Sequence, residues 1–425
     1  MFSATHNCWP GFSRYLCVMA CCLALTGCGE SEEPGTPLEE ETVIIALMPS
    51  IDANPQLAMR LRELVDVYLL QIEIDFDEVD SNLMGLGLLI DDFLAAPNTE
   101  TMTAVRIAWL NAHSTYELTA LHRYFAGLAL TEPESLALFQ IQYRLNHWPI
   151  LPGYIDYVEG YPVSGIVHDI TVTIDGPGLQ EQHGTFDLAE AALGFHVLEF
   201  LLWGENKEMG RLRPPSDYDS SSVLSALQQE SGLTTSQLSN NRRREYLRIG
   251  SQALVDDFRS LQRLWANGSV SFRERLDSLQ SNEILSLLVE ASTTMLTEEM
   301  LVSSLYPLLN GDYSDSIQSP YSHSTQNAIS AQLFGVERLL LETRTSAGAT
   351  LDSILVKLSA DFEELFYQNF DASKECLVLL YSTLVPPQDP AAALQSEFEI
   401  VECINLLSNM IDHLEQTKFG LTREM

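Results

Sequence analysis

Apolar residues recur at intervals of three and four positions along most of the chain. Within residues 55–76 they include Leu57, Leu61, Leu64 and Tyr68, which share one face of a helix. The same pattern predicts further helices at 98–125, 134–146, 187–203, 242–265, 282–306, 324–345, 351–384 and 391–416. Asn98 would cap the first of these helices. The sequence therefore predicts an all-α protein.

Residues 150–184 interrupt this pattern and are rich in Gly, Pro, Tyr and Val. Within them, residues 170–174 alternate as a short strand does. A Gly/Pro-rich and then serine-rich passage at 204–240 separates the earlier helices from the later ones. We expect two four-helix-bundle-like domains, at 42–225 and 226–425, the first with an irregular insertion that could contain a short strand.

The N-terminus is typical of an exported protein. Arg14 is the one full side-chain charge in residues 1–27, and a largely apolar run ends in Leu25–Cys28, which resembles the bacterial lipoprotein cleavage box. This predicts a signal peptide at 1–27, then a lipidated Cys28 and a polar tether at 28–41. Gly29 is typical of sorting to the outer membrane, facing the periplasm. The alternative is an ordinary signal peptide that contains cysteines.

The composition of the chain limits the classes of partner that the protein could bind. The chain has 23 Lys and Arg against 59 Asp and Glu, a net charge of -36, so it would repel phosphate backbones and we expect no nucleic-acid binding. Hydrophobic residues make up 46%, enough for a folded core. Cys376 and Cys403 flank the Pro-rich turn at 385–390, so they could form a disulfide between two antiparallel helices or stay as two buried thiols.

The predicted helix that Asp187 would cap contains the most informative segment. Of residues 191–203, only His196 and Glu199 are polar, so both should be buried on a helix that is apolar on all sides. Three positions apart, they lie about 60° from each other on one helix face. A buried imidazole and carboxylate need a partner, which is either a metal such as iron or zinc or the other member of the pair. Gly194 would let another backbone approach closely.

The remaining polar motifs carry less information. The zinc-peptidase motif HExxH is absent, and so is a G-x-S-x-G elbow. His147, His168 and His183 fall in or beside the irregular region, where exposure is expected. The basic run Arg242–Arg244 is expected to form internal ion pairs.

Several segments together resemble the imelysin family. Gly194–Gly204 resembles its G-x-H-x-x-E signature with the apolar ending F-L-L-W-G. Asn146–Pro149 followed by Tyr154–Val158 resembles the N-x-W-P and Y-I-D-Y segments, and Ser164–Val167 resembles the loop after them. Residues 211–218 resemble the passage that follows the signature.

The resemblance implies two four-helix bundles with the signature helix at the groove between them. It also implies an exported or lipid-anchored bacterial protein. Many members of the family are linked to iron acquisition. The founding activity of the family is an insulin-cleaving metallopeptidase. Because the sequence has no recognisable zincin motif, we lean away from an enzyme.

The chain departs from the family pattern at positions that could carry ligands. His113 stands where an Arg is common, and Ala120 stands at an acidic position. Gln326 and Ala328 replace a histidine and an aspartate. His113 or His323 could substitute for the lost groups.

We therefore expect an envelope-anchored protein that binds a metal or metal-linked ligand in iron uptake, with His196 and Glu199 as metal ligands. The partners would be the membrane, through the lipid anchor, and receptor or transporter components of iron uptake. Two alternatives stay open: a metallopeptidase in which Glu199 is the general base on a metal-bound water, and a protein-docking module without metal.

Besides His323, four other residues are candidates for the same site. His113, Asp156 and Tyr157 could contribute ligands from neighbouring segments, and Arg123 could balance charge.

Overall fold

The computed structural model describes residues 51–128, 130–206, 212–358, 362–384 and 390–422. The predicted signal peptide at 1–27, Cys28 and the tether at 28–41 lie outside these residues. Residues Leu47–Met425 form one compact unit, and the division into domains at 225 and 226 stays a prediction.

The described residues are mostly helical, with no β-strand, which confirms the all-α class. The helices, numbered in chain order, are α1 (Pro55–Ala95), α2 (Thr99–Leu118), α3 (Ala120–Gly127), α4 (Glu132–Asn146), α5 (Pro152–Ile155), α6 (Gly176–Gln182), α7 (Phe195–Trp203), α8 (Ala226–Glu230), α9 (Ser239–Ser278), α10 (Ser281–Met295), α11 (Tyr306–Leu309), α12 (Tyr313–Ser316), α13 (Thr325–Glu337), α14 (Leu351–Leu358), α15 (Phe362–Thr383) and α16 (Pro390–Thr422). Two π-helical stretches, Leu296–Leu305 and Arg338–Glu342, continue α10 and α13. In the described part of the chain, no helix combines the length and apolar character that crossing a membrane requires.

The long helices pack in two connected groups. Helix α1 packs against α2 and α9, and α9 also contacts α4 and α7. In the second group, α16 packs against α10 and α15, and α15 packs against α13. The groups meet where α13 packs on α2 and α10 packs on α3. Helices α2 and α7 therefore lie close to this junction.

Two local predictions about helix ends have different outcomes. Asn98 caps α2 as predicted, because its side chain accepts a hydrogen bond from the Thr101 amide at 3.1 Å. Asp187 does not cap the signature helix, since α7 begins only at Phe195. The Asp187 carboxylate instead accepts from the nearby Ala189 amide at 2.8 Å.

The irregular region holds no strand, so the short strand expected at 170–174 is wrong: these residues form turns and bends. Arg242 explains how this region keeps its shape. Its guanidinium donates to the carbonyl oxygens of Ile166, Val167, Asp169 and Val172 at 2.7–2.9 Å. In a β-sheet, such carbonyl oxygens would accept hydrogen bonds from a neighbouring strand. Here the Arg242 guanidinium supplies the donors instead.

The two cysteines after residue 28 are joined. Cys376 on α15 and Cys403 on α16 form a disulfide with 5.5 Å between their Cα atoms. The bond links two antiparallel helices at positions 27 residues apart in sequence.

Candidate functional site

The start of helix α7 requires a glycine. Gly194 has φ +112°, a conformation that residues with a Cβ rarely adopt. A Cβ at this position would lie 2.8 Å from the Arg144 carbonyl oxygen and 2.9 Å from that of Leu145. The close backbone approach predicted at Gly194 is therefore confirmed, and it presses the end of α4 against the start of α7.

His196 and Glu199 are both buried, at 1% and 0% exposure, and they contact each other. His196 Nδ1 lies 3.2 Å from Glu199 Oε2. Burial lowers the pKa of His196, against the opposing effect of the hydrogen bond to Glu199. A neutral imidazole that donates from Nδ1 to the carboxylate leaves Nε2 as a lone-pair nitrogen, and this buried atom has no hydrogen-bond partner among the described residues.

The other oxygen of Glu199 is held by the segment between α12 and α13. Ser322 donates both its backbone N–H and its hydroxyl to Glu199 Oε1, at 2.7 and 2.6 Å. The Ser322 hydroxyl also lies 2.7 Å from the Ser324 hydroxyl. Both oxygens of the carboxylate are therefore hydrogen-bonded, as a buried charge requires.

Two aromatic rings cover the His196 imidazole. His113 on α2 packs edge-to-face with it, with 5.2 Å between ring centroids, and Trp148 does the same at 5.2 Å. Of the candidate residues outside α7, His113 is thus the one that the fold brings against the pair. It bridges the pair to a second polar group, Glu117.

Glu117 is the centre of a buried polar network. Its carboxylate lies 3.2 Å from His113 Nε2, and it accepts hydrogen bonds from Asn146 at 2.6 Å and Gln332 at 2.7 Å. Burial alone would raise the pKa of Glu117, but the hydrogen bond and charge of His113, the Arg123 charge and the Gln332 hydrogen bond lower it to about 2. Glu117 is therefore an anion across the physiological pH range.

Asp156 and Tyr157 belong to a different cluster. Asp156 is fully buried and is bound by Arg213 at 2.6 Å and by Arg243 at 2.6 and 3.0 Å. Burial would raise its pKa, but the two arginines and His168 hold it well below its usual range. The Tyr157 hydroxyl donates to Asp217. These ion pairs and hydrogen bonds hold the irregular region to α9 through Arg243, and to the segment before α9 through Arg213 and Asp217.

The last two candidates lie at the edges of the site. Arg123 donates to the Tyr116 carbonyl and the Thr119 hydroxyl at 2.7 Å each, and its Nη2 is 3.9 Å from Glu117. Arg123 balances the charge of Glu117, which contacts His113 beside the His196–Glu199 pair. His323 lies between Ser322, which donates to Glu199, and Ser324, whose hydroxyl contacts that of Ser322, but the His323 side chain is exposed.

The side chains at this site indicate whether they could hold the metal ion that the family resemblance implies. His196 Nε2 is an open nitrogen ligand, and Glu199 can orient the ring in the way that carboxylates orient metal-binding histidines. Within the described ranges, however, no group of three or more His, Cys, Asp or Glu side chains is arranged to hold a metal ion. The residues fit a metal that brings further ligands of its own, and they do not form a complete cage.

From the sequence alone, Asn146 and Trp148 appear only within the N-x-W-P segment, and Glu117, Gln332 and Ser322 are not candidates. Glu117 had a detectable signal, since it follows His113 by four positions on the same helix face. Gln332 and Ser322 had none, because they reach the site from distant parts of the chain.

Fold and site together define an all-helical protein with an internal His–Glu pair near the junction of two helix groups. The family model described as imelysin (Peptidase M75) matches residues 86–392, which is more than half of the chain. The chain belongs to the imelysin family.

One solved structure shows the same fold. It is a protein of Parabacteroides distasonis with the provisional name iron-regulated protein A precursor. The TM-score is 0.60 over 86% of this chain and 96% of that chain, at 11% sequence identity. A comparison with curated protein sequences gives no match.

Proposed function

We propose that this protein is anchored to the bacterial cell envelope and takes part in iron uptake, where His196 and Glu199 bind a metal or metal-linked ligand. Membership of the imelysin family supports this, as does the name of the structural neighbour, which refers to iron regulation. The lipoprotein-like box at Leu25–Cys28 supports the anchor. The partners would be components of an iron receptor or transporter beside the same membrane.

The open Nε2 of His196 carries the binding proposal. A buried ring nitrogen without a partner costs on the order of 1–3 kcal/mol, which a bound ligand would recover. Glu199 would hold the imidazole in the tautomer that presents this lone pair. Since the described residues supply no third clustered ligand, we favour iron in a complex, whose own donor atoms complete the coordination.

Calorimetry on the purified full-length protein in detergent would test this, with Fe(II), Fe(III) and Zn(II) as probes, each alone and as its citrate complex. The comparison is with His196→Ala and Glu199→Ala, and Glu415→Ala on the exposed face of α16 is the matched control. Helicity should be unchanged in every variant. Binding that both site variants remove and the control retains would support the proposal. No heat up to about 1 mM probe would overturn it.

The proposed lipid anchor at Cys28 can be tested separately. In cells fed a labelled fatty acid, the wild-type protein should carry the label and sediment with membranes. Cys28→Ser should lose the label. An unlabelled wild-type protein would refute the lipid anchor and leave the binding proposal unaffected.

A further inference from the structure

A cavity of about 740 Å³ adjoins the site and shares Trp148 with it, since the Trp148 ring also packs on His196. Its walls come from α3, α4, the segment 147–149 and the π-helical stretch Leu296–Leu305. This volume falls within the range of about 300–1,000 Å³ that small-molecule sites occupy. π-Helical segments are also frequent at functional sites.

Part of the wall is aromatic. Tyr124, Phe139, Tyr143 and Trp148 line the cavity. Phe139 is 60% exposed, although a phenyl ring at the surface gains nothing from contact with water. Such walls favour a flat ring, which can stack against or meet them edge-on.

Two side chains that line the cavity, Arg123 and Gln318, each have a buried polar atom without a partner among the described residues. Arg123 is 4% exposed, and while its Nη1 makes two hydrogen bonds, its Nε–H makes none. Gln318 is 7% exposed and its Oε1 accepts no hydrogen bond. One is a donor and the other an acceptor, and buried polar atoms are normally paired. A ligand that carries both an acceptor and a donor would satisfy the two.

The buried charges around the cavity are nearly balanced, and the Asp315 carboxylate that also lines it is exposed. Arg123 lies 3.9 Å from Glu117, and Glu299 accepts a hydrogen bond from the Tyr124 hydroxyl at 3.0 Å. Burial and the neighbouring Glu117 charge raise the pKa of Glu299, which favours its neutral form. With Arg123 already opposed by Glu117, a strongly charged ligand would bring an uncompensated charge into a partly buried space.

We propose that this cavity binds a small, uncharged aromatic molecule, with an oxygen that accepts from Arg123 Nε and a hydroxyl or amide hydrogen donated to Gln318 Oε1. The ring lies between the aromatic walls. Because this binding requires no metal at His196, its test is independent of the test of the proposed function.

Ligand-observed NMR on the full-length protein tests this with 4-hydroxybenzamide, which carries a ring, an amide oxygen and two kinds of donor. Its saturated analogue, 4-hydroxycyclohexanecarboxamide, keeps the polar groups and lacks the aromatic ring. The cavity variants are Phe139→Ala at the exposed rim and Gln318→Met, which removes the acceptor at similar volume. Phe398→Ala is the matched control, because Phe398 is 68% exposed on α16 and does not line the cavity.

We expect 4-hydroxybenzamide to bind in the millimolar range or tighter, with the saturated analogue about tenfold weaker. Gln318→Met should raise Kd about tenfold and Phe139→Ala about fivefold, while Phe398→Ala should leave it unchanged. Absence of binding up to about 10 mM, or binding that neither cavity variant weakens, would overturn the proposal. Equal affinity for the two probes would refute its aromatic part.

Discussion

Ser322 donates two hydrogen bonds to one oxygen of Glu199, from its backbone N–H at 2.7 Å and from its hydroxyl at 2.6 Å. The two residues are 123 positions apart, so the loop before α13 is tied to α7 through a fully buried carboxylate. The same carboxylate holds His196, which makes this loop part of the site.

Removing the Ser322 hydroxyl should destabilise the protein. Because a hydrogen bond to a charged group contributes about 1.5–3 kcal/mol, Ser322→Ala should lower the free energy of unfolding by about 2 kcal/mol. Urea denaturation measures this. The exposed Ser278→Ala should change stability by less than about 0.5 kcal/mol. Equal stability of Ser322→Ala and the wild type would mean that the hydroxyl bond contributes nothing.

Two glycine-to-alanine substitutions should have opposite effects. Gly194→Ala forces a Cβ against two carbonyl oxygens at φ +112° and should cost at least about 2 kcal/mol of unfolding free energy. Gly87→Ala lies in the interior of α1 with open space around it, and it should stabilise the protein by about 0.5–1 kcal/mol. Thermal and urea denaturation measure both. A neutral Gly194→Ala would contradict the tight packing of α4 on α7.

His147 and His183, for which the sequence predicts exposure, are half-buried, and they should make the protein less stable in mild acid. Burial, with the charges of His147 and Arg144, lowers the pKa of His183 from 6.5 to about 4. Below pH 6.5 the unfolded chain therefore binds a proton that the folded protein does not, and stability falls until the pH reaches about 4. His147, whose pKa is also lowered to about 4, acts in the same direction.

His183→Asn tests this effect, because asparagine keeps an acceptor for the Ala192 and Leu193 amides and does not titrate. Between about pH 7 and pH 4.5 the variant should lose about 2 kcal/mol less stability than the wild type, measured by urea denaturation at each pH. His323→Asn is the control, since His323 is exposed and asparagine tolerates its φ of 56°. The same pH dependence in His183→Asn and wild type would rule out a contribution from His183.

The disulfide between α15 and α16 should stabilise the fold. Closing a loop of 27 residues restricts the unfolded chain and contributes about 3 kcal/mol. Urea denaturation with and without reductant should show this difference. The double variant Cys376→Ser and Cys403→Ser should match the reduced wild type and no longer respond to reductant. A wild type that is equally stable in both conditions would show that the bond adds nothing.

Much of this molecule follows from local sequence. Helix faces, the Asn98 cap and the burial of His196 and Glu199 depend on residues within a few turns of each other, and the pattern of apolar and polar positions predicts them. The close approach at Gly194 also has a local signal. Asp187 shows the limit of such signals. A good capping residue precedes an apolar run, yet the helix begins at Phe195, directly after Gly194, whose φ of +112° is not helical.

The sequence by itself determined the helical class, the imelysin signature and the buried His–Glu pair, because each rests on spacing along one element. Only the tertiary structure decided what surrounds the pair. Helix packing places His113, Trp148 and Ser322 against α7. It also pairs Asp156 with Arg213 and Arg243. The physical reason is that a buried polar group pairs with whichever group helix packing places within hydrogen-bond distance, and sequence spacing carries no measure of that distance.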